Sequence, residues 1–165
     1  MIEIYDIECI NGFFSYCGLN KDTQKISQFV IHKSRDDRDE LISHLQSLNG
    51  QIGFNNISYD GQLIHFILEN YLDWLDFNGG EIADIIYRKS QFVINQSSNG
   101  GFPEIPEWKL KIKQLDLFLI WHFNNLAKST SLKWVEFMID FPNLQSMPIK
   151  HYDKVDKSQI DEILA

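Results

Sequence analysis

Two neighbouring acidic positions stand out in a largely apolar segment near the start of the chain. The segment "IEIYDIECIN" covers residues 2 to 11 and places Asp6 and Glu8 two positions apart. Side chains alternate between the faces of a β-strand, so both carboxylates share a face with isoleucines, while Tyr5 and Ile7 occupy the other. Both faces look buried, and an unpaired buried carboxylate is costly. The pair therefore needs a cation, a set of donors or an exit to solvent, and it is a first indication of a metal site.

A third candidate carboxylate lies about fifty residues later. In "FNNISYDG", residues 54 to 61, Asp60 stands between a short apolar run and a segment with helical apolar spacing. Mg²⁺ and Mn²⁺ prefer oxygen ligands, and a pair of ions about 3.5 to 4 Å apart can hold both reacting oxygens of a phosphodiester. Asp60 taken alone is better explained as a helix N-cap. Together, the three carboxylates predict metal-dependent phosphodiester chemistry.

The elements that must position these residues begin with a meander. We predict three strands, a helix capped by Ser34 with Asp37 three positions on and Gly50 beyond its end, a short buried strand, and a helix that starts at Asp60. Their ranges are strands at 2–10, 12–19, 24–32 and 51–54 and helices at about 34–49 and 60–75. A strand, a turn and a helix therefore meet at the "FNNISYDG" segment.

The second half of the chain continues the mixture of strands and helices. We predict a helix over 81–93, an exposed Gly/Ser/Pro-rich loop over 95–107, and a half-exposed strand from Trp108 that alternates lysines with apolar residues and ends at Asp116. A solvated face is favoured over phosphate contact for Lys109, Lys111 and Lys113. Helices should begin at Thr130 or Ser131 and near Asp156 or Ser158. The order predicts an α/β fold with a mixed sheet covered by helices.

Composition limits the class of protein. The chain has 165 residues, 44% of them hydrophobic, and a formal net charge of −8. One domain over 1–165 is expected, without a membrane span and inside the cell; the two cysteines have neither zinc spacing nor the density of a disulfide scaffold. The negative charge argues against a broad basic footprint on duplex nucleic acid. An acidic, metal-dependent nuclease remains compatible with it.

The same residues resemble a known family. "YDIEC" resembles the Asp-x-Glu first motif of the DnaQ-like 3′–5′ exonucleases, which have a ribonuclease H-like fold, and "FNNISYDG" resembles the second motif of proofreading domains of B-family DNA polymerases. The segments "LKIKQLDLF" and "SLKWVEFMIDFPNLQSMPI" resemble phage-like members. The resemblance implies a cytoplasmic protein of a bacterial or phage-infected cell, with the single-stranded 3′ end of DNA as substrate and a polymerase domain as a possible partner.

The resemblance also implies residue roles. Asp6, Glu8 and Asp60 would bind Mg²⁺ or Mn²⁺, and Asn56 and Tyr59 would contact the single-stranded 3′ end. Phe13 or Phe14, just after the first motif, would act as a wedge or stacking platform, with core packing expected for at least one of them.

The third motif of the family is a Tyr or His followed by an Asp on a late helix. In "HYDKVD", Tyr152 and His151 each stand at the required spacing from Asp156. The alternative interpretation is that Asp156 is a helix cap and that the chain is truncated before the true third motif. Two further hypotheses stay open: a catalytically incomplete domain of the same fold that binds single strands or docks on a polymerase, and a phosphatase, which the Glu at position 8 and Ile10 disfavour.

Overall fold

The first three strands form the predicted meander. The structure is a computed structural model that describes residues 1–122, 131–142, 149–150 and 152–164. Strands β1 (Ile2–Ile10), β2 (Phe13–Asn20) and β3 (Ile26–His32) pair in antiparallel succession. Gly12 turns the chain between β1 and β2 with φ of +74°, a conformation that side chains other than glycine rarely adopt.

Three shorter strands complete one mixed sheet. They are β4 (Arg35–Asp36), β5 (Gly50–Gly53) and β6 (Gln114–Asp116), and the order across the sheet is β4-β3-β2-β1-β5-β6. β5 lies parallel to β1 and β6 lies parallel to β5, whereas the other pairs are antiparallel. The carboxyl ends of β1, β5 and β6 therefore point the same way, the arrangement that gathers side chains at one edge of an α/β sheet.

Helices flank this sheet. The described helices are α1 (Arg38–Gln46), α2 (Asp60–Asn70), α3 (Gly79–Ser98), α4 (Leu117–His122), α5 (Leu132–Met138) and α6 (Ile160–Ile163). The predicted α/β fold with a mixed sheet is confirmed. Within the described ranges, no helix combines the length and the apolar character needed to cross a membrane.

The start of α1 differs from the prediction. Ser34 is not its N-cap, because the chain first adds β4 to the sheet, pairing His32 with Arg35. The helix begins only after Asp37, whose carboxylate accepts the backbone N–H of Val30 at 3.0 Å and the Arg35 Nε–H at 2.7 Å. Arg35 and Asp36, which the sequence pattern assigned to the first turn of the helix, therefore pair with β3 instead. Gly50, expected just past the helix, opens β5 instead.

The region from residue 79 to residue 116 also departs from expectation. α3 is longer than the predicted 81–93 because Asn78 caps it, accepting hydrogen bonds from the N–H groups of Gly80 and Glu81. The expected strand from Trp108 is reduced to β6, since a 3₁₀ turn occupies Glu107–Lys109. The lysines of this segment are exposed, as the favoured interpretation required.

The later caps match two of the offered alternatives. Ser131 caps α5, its hydroxyl accepting the Trp134 N–H at 3.2 Å, while Thr130 lies outside the described residues. Asp156 occupies the N-cap position of a 3₁₀ turn over Lys157–Gln159 that leads into α6.

The main core lies between one face of the sheet and α1, α2 and α3. Tyr5 and Ile7 of β1 belong to this core, as do Leu41 of α1, Leu63 of α2 and Ile86 of α3. The opposite face is covered only in part. There a smaller cluster joins three sheet residues to the C-terminal segment; its members are Ile10, Phe13, Val30, Ile149, Val155 and Ile160.

Several other residues on that opposite face are exposed. Ile4 is 44% exposed, Leu115 47% and Ile26 61%. The expectation that both faces of β1 are buried is therefore wrong for the part of the strand that carries Asp6. Both cysteines are free; Cys9 is buried, and Cys17, which pairs with Asp6 across β1 and β2, is exposed.

Candidate active site

Asp6 and Glu8 lie on the incompletely covered face of β1, beyond the end of the neighbouring strand. Ile4 pairs with Ile52 of β5, and β5 ends one residue later at Gly53. On that side, the segment next to Asp6 is therefore the turn that follows β5. Asp6 is exposed and Glu8 is half-buried. The exit to solvent that the apolar strand requires is therefore present at Asp6.

The turn between β5 and α2 is held by a carboxylate from β6. Asp116 accepts hydrogen bonds from the backbone N–H groups of Asn55 at 2.8 Å, Ile57 at 3.2 Å and Phe118 at 2.9 Å. Asn55 has φ of +60°, a left-handed conformation that Asn tolerates better than most residues. Asp116 is 4% exposed, so these bonds satisfy a buried charge. Its role is structural: it fixes the turn that leads to Asp60.

Asp60 is the first residue of α2 and is 8% exposed. Its pKa is raised well above the usual range, chiefly by burial and next by the negative charge of Asp6. Glu8 and Asp116 act in the same direction, and a hydrogen bond from the Asp60 backbone N–H opposes them. Four carboxylates from β1, α2 and β6 therefore share one electrostatic environment. The folded chain has brought together residues that lie more than a hundred positions apart.

The two carboxylates of β1 show the same effect. Burial, followed by the charge of Asp6, raises the pKa of Glu8 to about 7. Burial also raises the pKa of Asp6, although its side chain reaches solvent, and a hydrogen bond from the Ile7 N–H opposes the shift. None of the ion pairs formed by described residues involves Asp6, Glu8 or Asp60. Within this part of the structure, the cluster holds negative charge without a paired cation.

The donor chemistry of this cluster suits a divalent ion, but the described residues do not close a metal site. Carboxylate oxygens are the ligands preferred by Mg²⁺ and Mn²⁺, and raised pKa values are what unneutralised neighbouring carboxylates produce. However, no three His, Cys, Asp or Glu side chains of the described ranges stand close enough together to bind one ion. Binding would thus require side-chain movement, retained waters or an additional ligand.

Asn56 lies beneath the turn rather than on its surface. Its side chain is 1% exposed, and its Nδ2 donates to Gln114 Oε1 at 2.7 Å. Its Oδ1 is buried and has no hydrogen-bond partner among the residues that the structure describes. The predicted contact of Asn56 with a nucleic acid would therefore have to use this oxygen, after the turn opens.

Tyr59 stands immediately before Asp60 with its ring half-buried. Its hydroxyl is within hydrogen-bond distance, 2.7 Å, of the Ser90 hydroxyl on α3. Burial raises its pKa, and Cys9, Asp60 and Glu8 add to the shift in that order. Tyr59 is thus fixed against α3 and lies near the carboxylates, the position that the predicted role in substrate contact requires.

Phe13 is placed differently from its predicted role. Its side chain is 0% exposed and packs in the smaller cluster. It is therefore a core residue in this structure and presents no ring face on which a base could stack. Phe14, the neighbouring alternative, is equally buried in the main core. Their alternation along β2 sends one ring into each core, which explains why neither reaches the surface.

The proposed third-motif residues lie in the C-terminal segment. Tyr152 is 64% exposed, Asp156 is exposed, and His151 lies outside the described residues. Neither Tyr152 nor Asp156 is among the groups that shift the pKa of Asp6, Glu8 or Asp60. The described role of Asp156 is that of an N-cap, and its backbone N–H donates to Gln159 Oε1 at 2.9 Å.

A buried polar chain behind the site was not predicted. Tyr16 donates to Glu3 Oε2 at 2.8 Å and accepts from Gln51 Nε2 at 3.1 Å; Gln51 Oε1 accepts from Gln114 Nε2 at 2.9 Å. Gln114 in turn accepts from Asn56. The signal available in the sequence was Glu3, a charged residue on the same strand face as Tyr5 and Ile7. It was overlooked beside the more conspicuous Asp6 and Glu8.

The far end of this chain is a histidine. His44 Nε2 lies 2.8 Å from Glu3 Oε2, and its ring packs 5.0 Å from that of Phe29. His44 is therefore packed between the buried Glu3 side chain and Phe29.

A pocket of about 430 Å³ opens between the turn and α3, next to Tyr59. It was not predicted either, because its α3 wall lies partly in residues assigned to a loop.

Comparison with known proteins found no family model, no curated protein and no solved structure that matches this chain.

Proposed function

We propose that this protein is a metal-dependent 3′–5′ exonuclease domain of ribonuclease H-like fold that acts on single-stranded 3′ ends of DNA, as in polymerase proofreading. The observation that carries the proposal is the convergence of Asp6, Glu8 and Asp60 from β1 and α2 into one acidic cluster without a paired cation among the described residues. The motif resemblance supports it, since Asp-x-Glu and Asn-x-x-Tyr-Asp occupy a first strand and a strand-to-helix turn.

In this proposal, some residues of the chain would bind the metal ion, and others position the turn and the DNA strand. Asp6, Glu8 and Asp60 would hold Mg²⁺ or Mn²⁺, which supplies a bound water of lowered pKa and neutralises phosphate charge. Asp116 fixes the turn through the Asn55 and Ile57 N–H groups. Tyr59, held by Ser90, would stack on the strand that enters the site. The open sheet face beside Asp6 gives that strand access.

A second candidate function is a domain of the same fold that binds single-stranded nucleic acid or docks on a polymerase without cleaving. The observation that favours it is that the described residues do not close a three-ligand metal site. The two candidates predict the same substrate-binding face. They differ in whether a phosphodiester bond is hydrolysed.

The test is Mn²⁺-dependent digestion of a 5′-labelled single-stranded DNA oligonucleotide. We expect stepwise shortening by the wild type and at least a hundredfold lower rate for Asp6→Asn, because charge is lost at the proposed metal ligands. The matched control is Asp39→Asn, an exposed carboxylate on α1, which packs against the other face of the sheet. It should keep the wild-type rate. Equal rates for Asp6→Asn and wild type would overturn the metal-site assignment.

The same oligonucleotide separates the two candidates. Binding by a folded wild type, measured by fluorescence anisotropy, without any Mn²⁺-dependent shortening would favour the non-catalytic domain. Shortening from internal positions would refute the exonuclease assignment. Absence of both binding and cleavage would refute the exonuclease and the strand-binding domain, and would leave only a domain that docks on a polymerase.

A further inference from the structure

The buried polar chain crosses the core face of the sheet and ends at the turn before α2. β1, β2, β5 and β6 each contribute one of its members, and the turn contributes the last. Glu3, Tyr16, Gln51 and Asn56 are each no more than 1% exposed, and Gln114 is half-buried between the last two. Polar side chains at such positions are costly unless hydrogen bonds satisfy them. Their presence therefore indicates a role that apolar packing would not supply.

The hydrogen bonds of the buried polar chain all run in one direction. Glu3 Oε2 accepts from the Tyr16 hydroxyl at 2.8 Å, and a carboxylate can only accept. Because Tyr16 has a single O–H, it must accept from Gln51 Nε2, which lies 3.1 Å away. The Gln51 carbonyl oxygen then faces Gln114 Nε2 at 2.9 Å. Each donor thus points towards Glu3, and the direction set by the carboxylate is passed on to Gln114.

Gln114 carries this direction to the turn. Its Oε1 accepts from Asn56 Nδ2 at 2.7 Å and from the Tyr5 hydroxyl at 3.1 Å. Its Nε2 donates to the backbone carbonyl of Ile112 at 3.1 Å as well as to Gln51. Both lone pairs and both N–H groups of this amide are therefore used. A reversed Gln114 amide would place one donor against another at Asn56.

Asn56 is consequently held with its nitrogen turned inward. Its Nδ2 is occupied by Gln114, and its Oδ1 is buried with no partner among the residues that the structure describes. Gly53 permits this close packing, since a Cβ there would lie 2.9 Å from the Asn56 Cβ. A buried acceptor without a donor is costly. The buried polar chain thus fixes which end of the Asn56 amide remains available.

The opposite end joins a carboxylate to a histidine. His44 Nε2 lies 2.8 Å from Glu3 Oε2, and Glu3 Oε1 has no partner in the described part of the protein. Gly18 leaves the space for this carboxylate, because a Cβ at that position would collide with Glu3 Oε2. The fold therefore accommodates a charged side chain where an apolar one would pack at lower cost.

We propose that Glu3 is a positioning residue of the site, which sets the orientation of the Asn56 side chain from the far end of the buried polar chain. The inference rests on the proposed function in one respect, since it assigns the free Asn56 Oδ1 to the DNA strand once the turn opens. The orientation itself is a property of the fold and is measurable without substrate.

The experiment interrupts the buried polar chain at its middle member. Gln51→Met removes the amide that joins Tyr16 to Gln114 and leaves Asn56 in place. The side-chain amide signals of Asn56 in an NMR spectrum should shift, while those of the exposed Asn95 should not. In the Mn²⁺ digestion assay, KM for the oligonucleotide should rise about 2- to 10-fold, the worth of one hydrogen bond, with kcat changed less than about twofold.

A second variant acts at the end of the buried polar chain. Glu3→Gln keeps the shape of the side chain, but its amide donates as well as accepts and so no longer imposes one direction. The Asn56 signals should shift here too, which keeps the test decisive if Gln51→Met does not fold. The matched control is Leu48→Met, which places the same new side chain in the main core outside the buried polar chain. It should keep the wild-type Asn56 signals and the wild-type KM.

The outcomes separate this inference from the proposed function. Unchanged Asn56 signals in folded Gln51→Met or Glu3→Gln would overturn the positioning role while leaving the proposed function standing. Shifted signals with an unchanged KM would overturn the assignment of Asn56 Oδ1 to the strand. A wild type that neither binds nor cleaves the oligonucleotide would refute the proposed function, although the Asn56 signals would still report whether Glu3 sets the orientation.

Discussion

Protonation of Glu8 should stabilise the metal-free protein. Burial and the neighbouring charge of Asp6 raise the pKa of Glu8 to about 7, from an ordinary value of 4.5. The folded protein therefore binds this proton more tightly than the unfolded chain does, and stability falls as the pH rises from 4.5 towards 7. At about 1.36 kcal/mol per pKa unit, the loss is about 3 kcal/mol at most. Partial solvent access of the side chain makes the measured loss smaller.

The assay is urea unfolding in EDTA at about pH 5 and about pH 8, which bracket the transition. The wild type should lose stability between the two values, and Glu8→Gln should lose less, by up to about 3 kcal/mol. Asp6 and Asp60 have raised pKa values too, so some pH dependence remains in the variant. The control is Glu40→Gln, exposed on α1, which should follow the wild type.

An identical pH dependence in wild type and Glu8→Gln would refute the reasoning, because it would mean that Glu8 is as well solvated in the folded protein as in the unfolded chain. A second measurement is the urea unfolding midpoint in the presence of Mn²⁺ at the higher pH. An ion bound at the carboxylates stabilises the folded state by mass action, so it should raise the unfolding midpoint of the wild type more than that of Glu8→Gln. Equal increases would place the ion elsewhere.

Two further substitutions test the parts that support the site. Tyr16→Phe removes the hydroxyl that donates to Glu3 at 2.8 Å, in a place where Glu3 is 0% exposed and its Oε1 has no described partner. We expect a loss of about 1 to 3 kcal/mol in urea unfolding, and a loss below the error of the measurement would show that water replaces the hydroxyl. Asp116→Ala frees the N–H groups of Asn55 and Ile57. It should increase amide hydrogen exchange in the 54–59 turn and lower cleavage, whereas unchanged exchange would contradict the structural role of Asp116.

The sequence was most informative where local pattern and tertiary structure agree. The long strands β1, β2 and β3 are largely apolar segments separated by turn residues, and they appear within two residues of the predicted bounds. The strand-to-helix turn before Asp60 was predicted for the same reason, since an apolar run gives way there to helical spacing. These elements carry all three proposed metal ligands. Asp60 lies near Asp6 and Glu8 because β5, which precedes the Asp60 turn, pairs in parallel with β1.

Prediction failed where a few residues change partner. Alternation of lysines with Leu110 and Ile112 indicated a strand, yet only Gln114–Asp116 pairs with β5, because β5 itself is only four residues long. A strand cannot extend beyond the partner that supplies its hydrogen bonds. Likewise, Ser34 was assigned to a helix because pairing of Arg35 with His32 leaves no mark in the local pattern. Both errors have the same cause. Strand pairing depends on which backbone N–H and C=O groups of a neighbouring strand can form hydrogen bonds, and the local sequence pattern does not show this.

The roles of single side chains were the hardest to predict, and Phe13 shows why. Its position after the first motif suggested a surface platform, but the C-terminal segment covers that part of the sheet with Ile149, Val155 and Ile160. Burial of Phe13 thus depends on residues more than 130 positions away, which no local pattern reveals. Asn56 is a second case. It was predicted to contact nucleic acid, but its side chain is buried and donates a hydrogen bond to Gln114.

The acidic cluster is a cost to the fold rather than a support for it. Burial raises the pKa of Asp6, Glu8 and Asp60, and negative neighbours add to the shift at Glu8 and Asp60, so at neutral pH ionisation of these groups weakens the folded state. Asp116 shows that this chain can also satisfy a buried carboxylate, with three backbone N–H groups. The contrast is informative, since packing alone would favour apolar residues at the buried positions of this cluster. Conflicts between a residue and its surroundings concentrate at functional sites, and this one lies where an incompletely covered sheet face, a fixed turn and a pocket of about 430 Å³ meet.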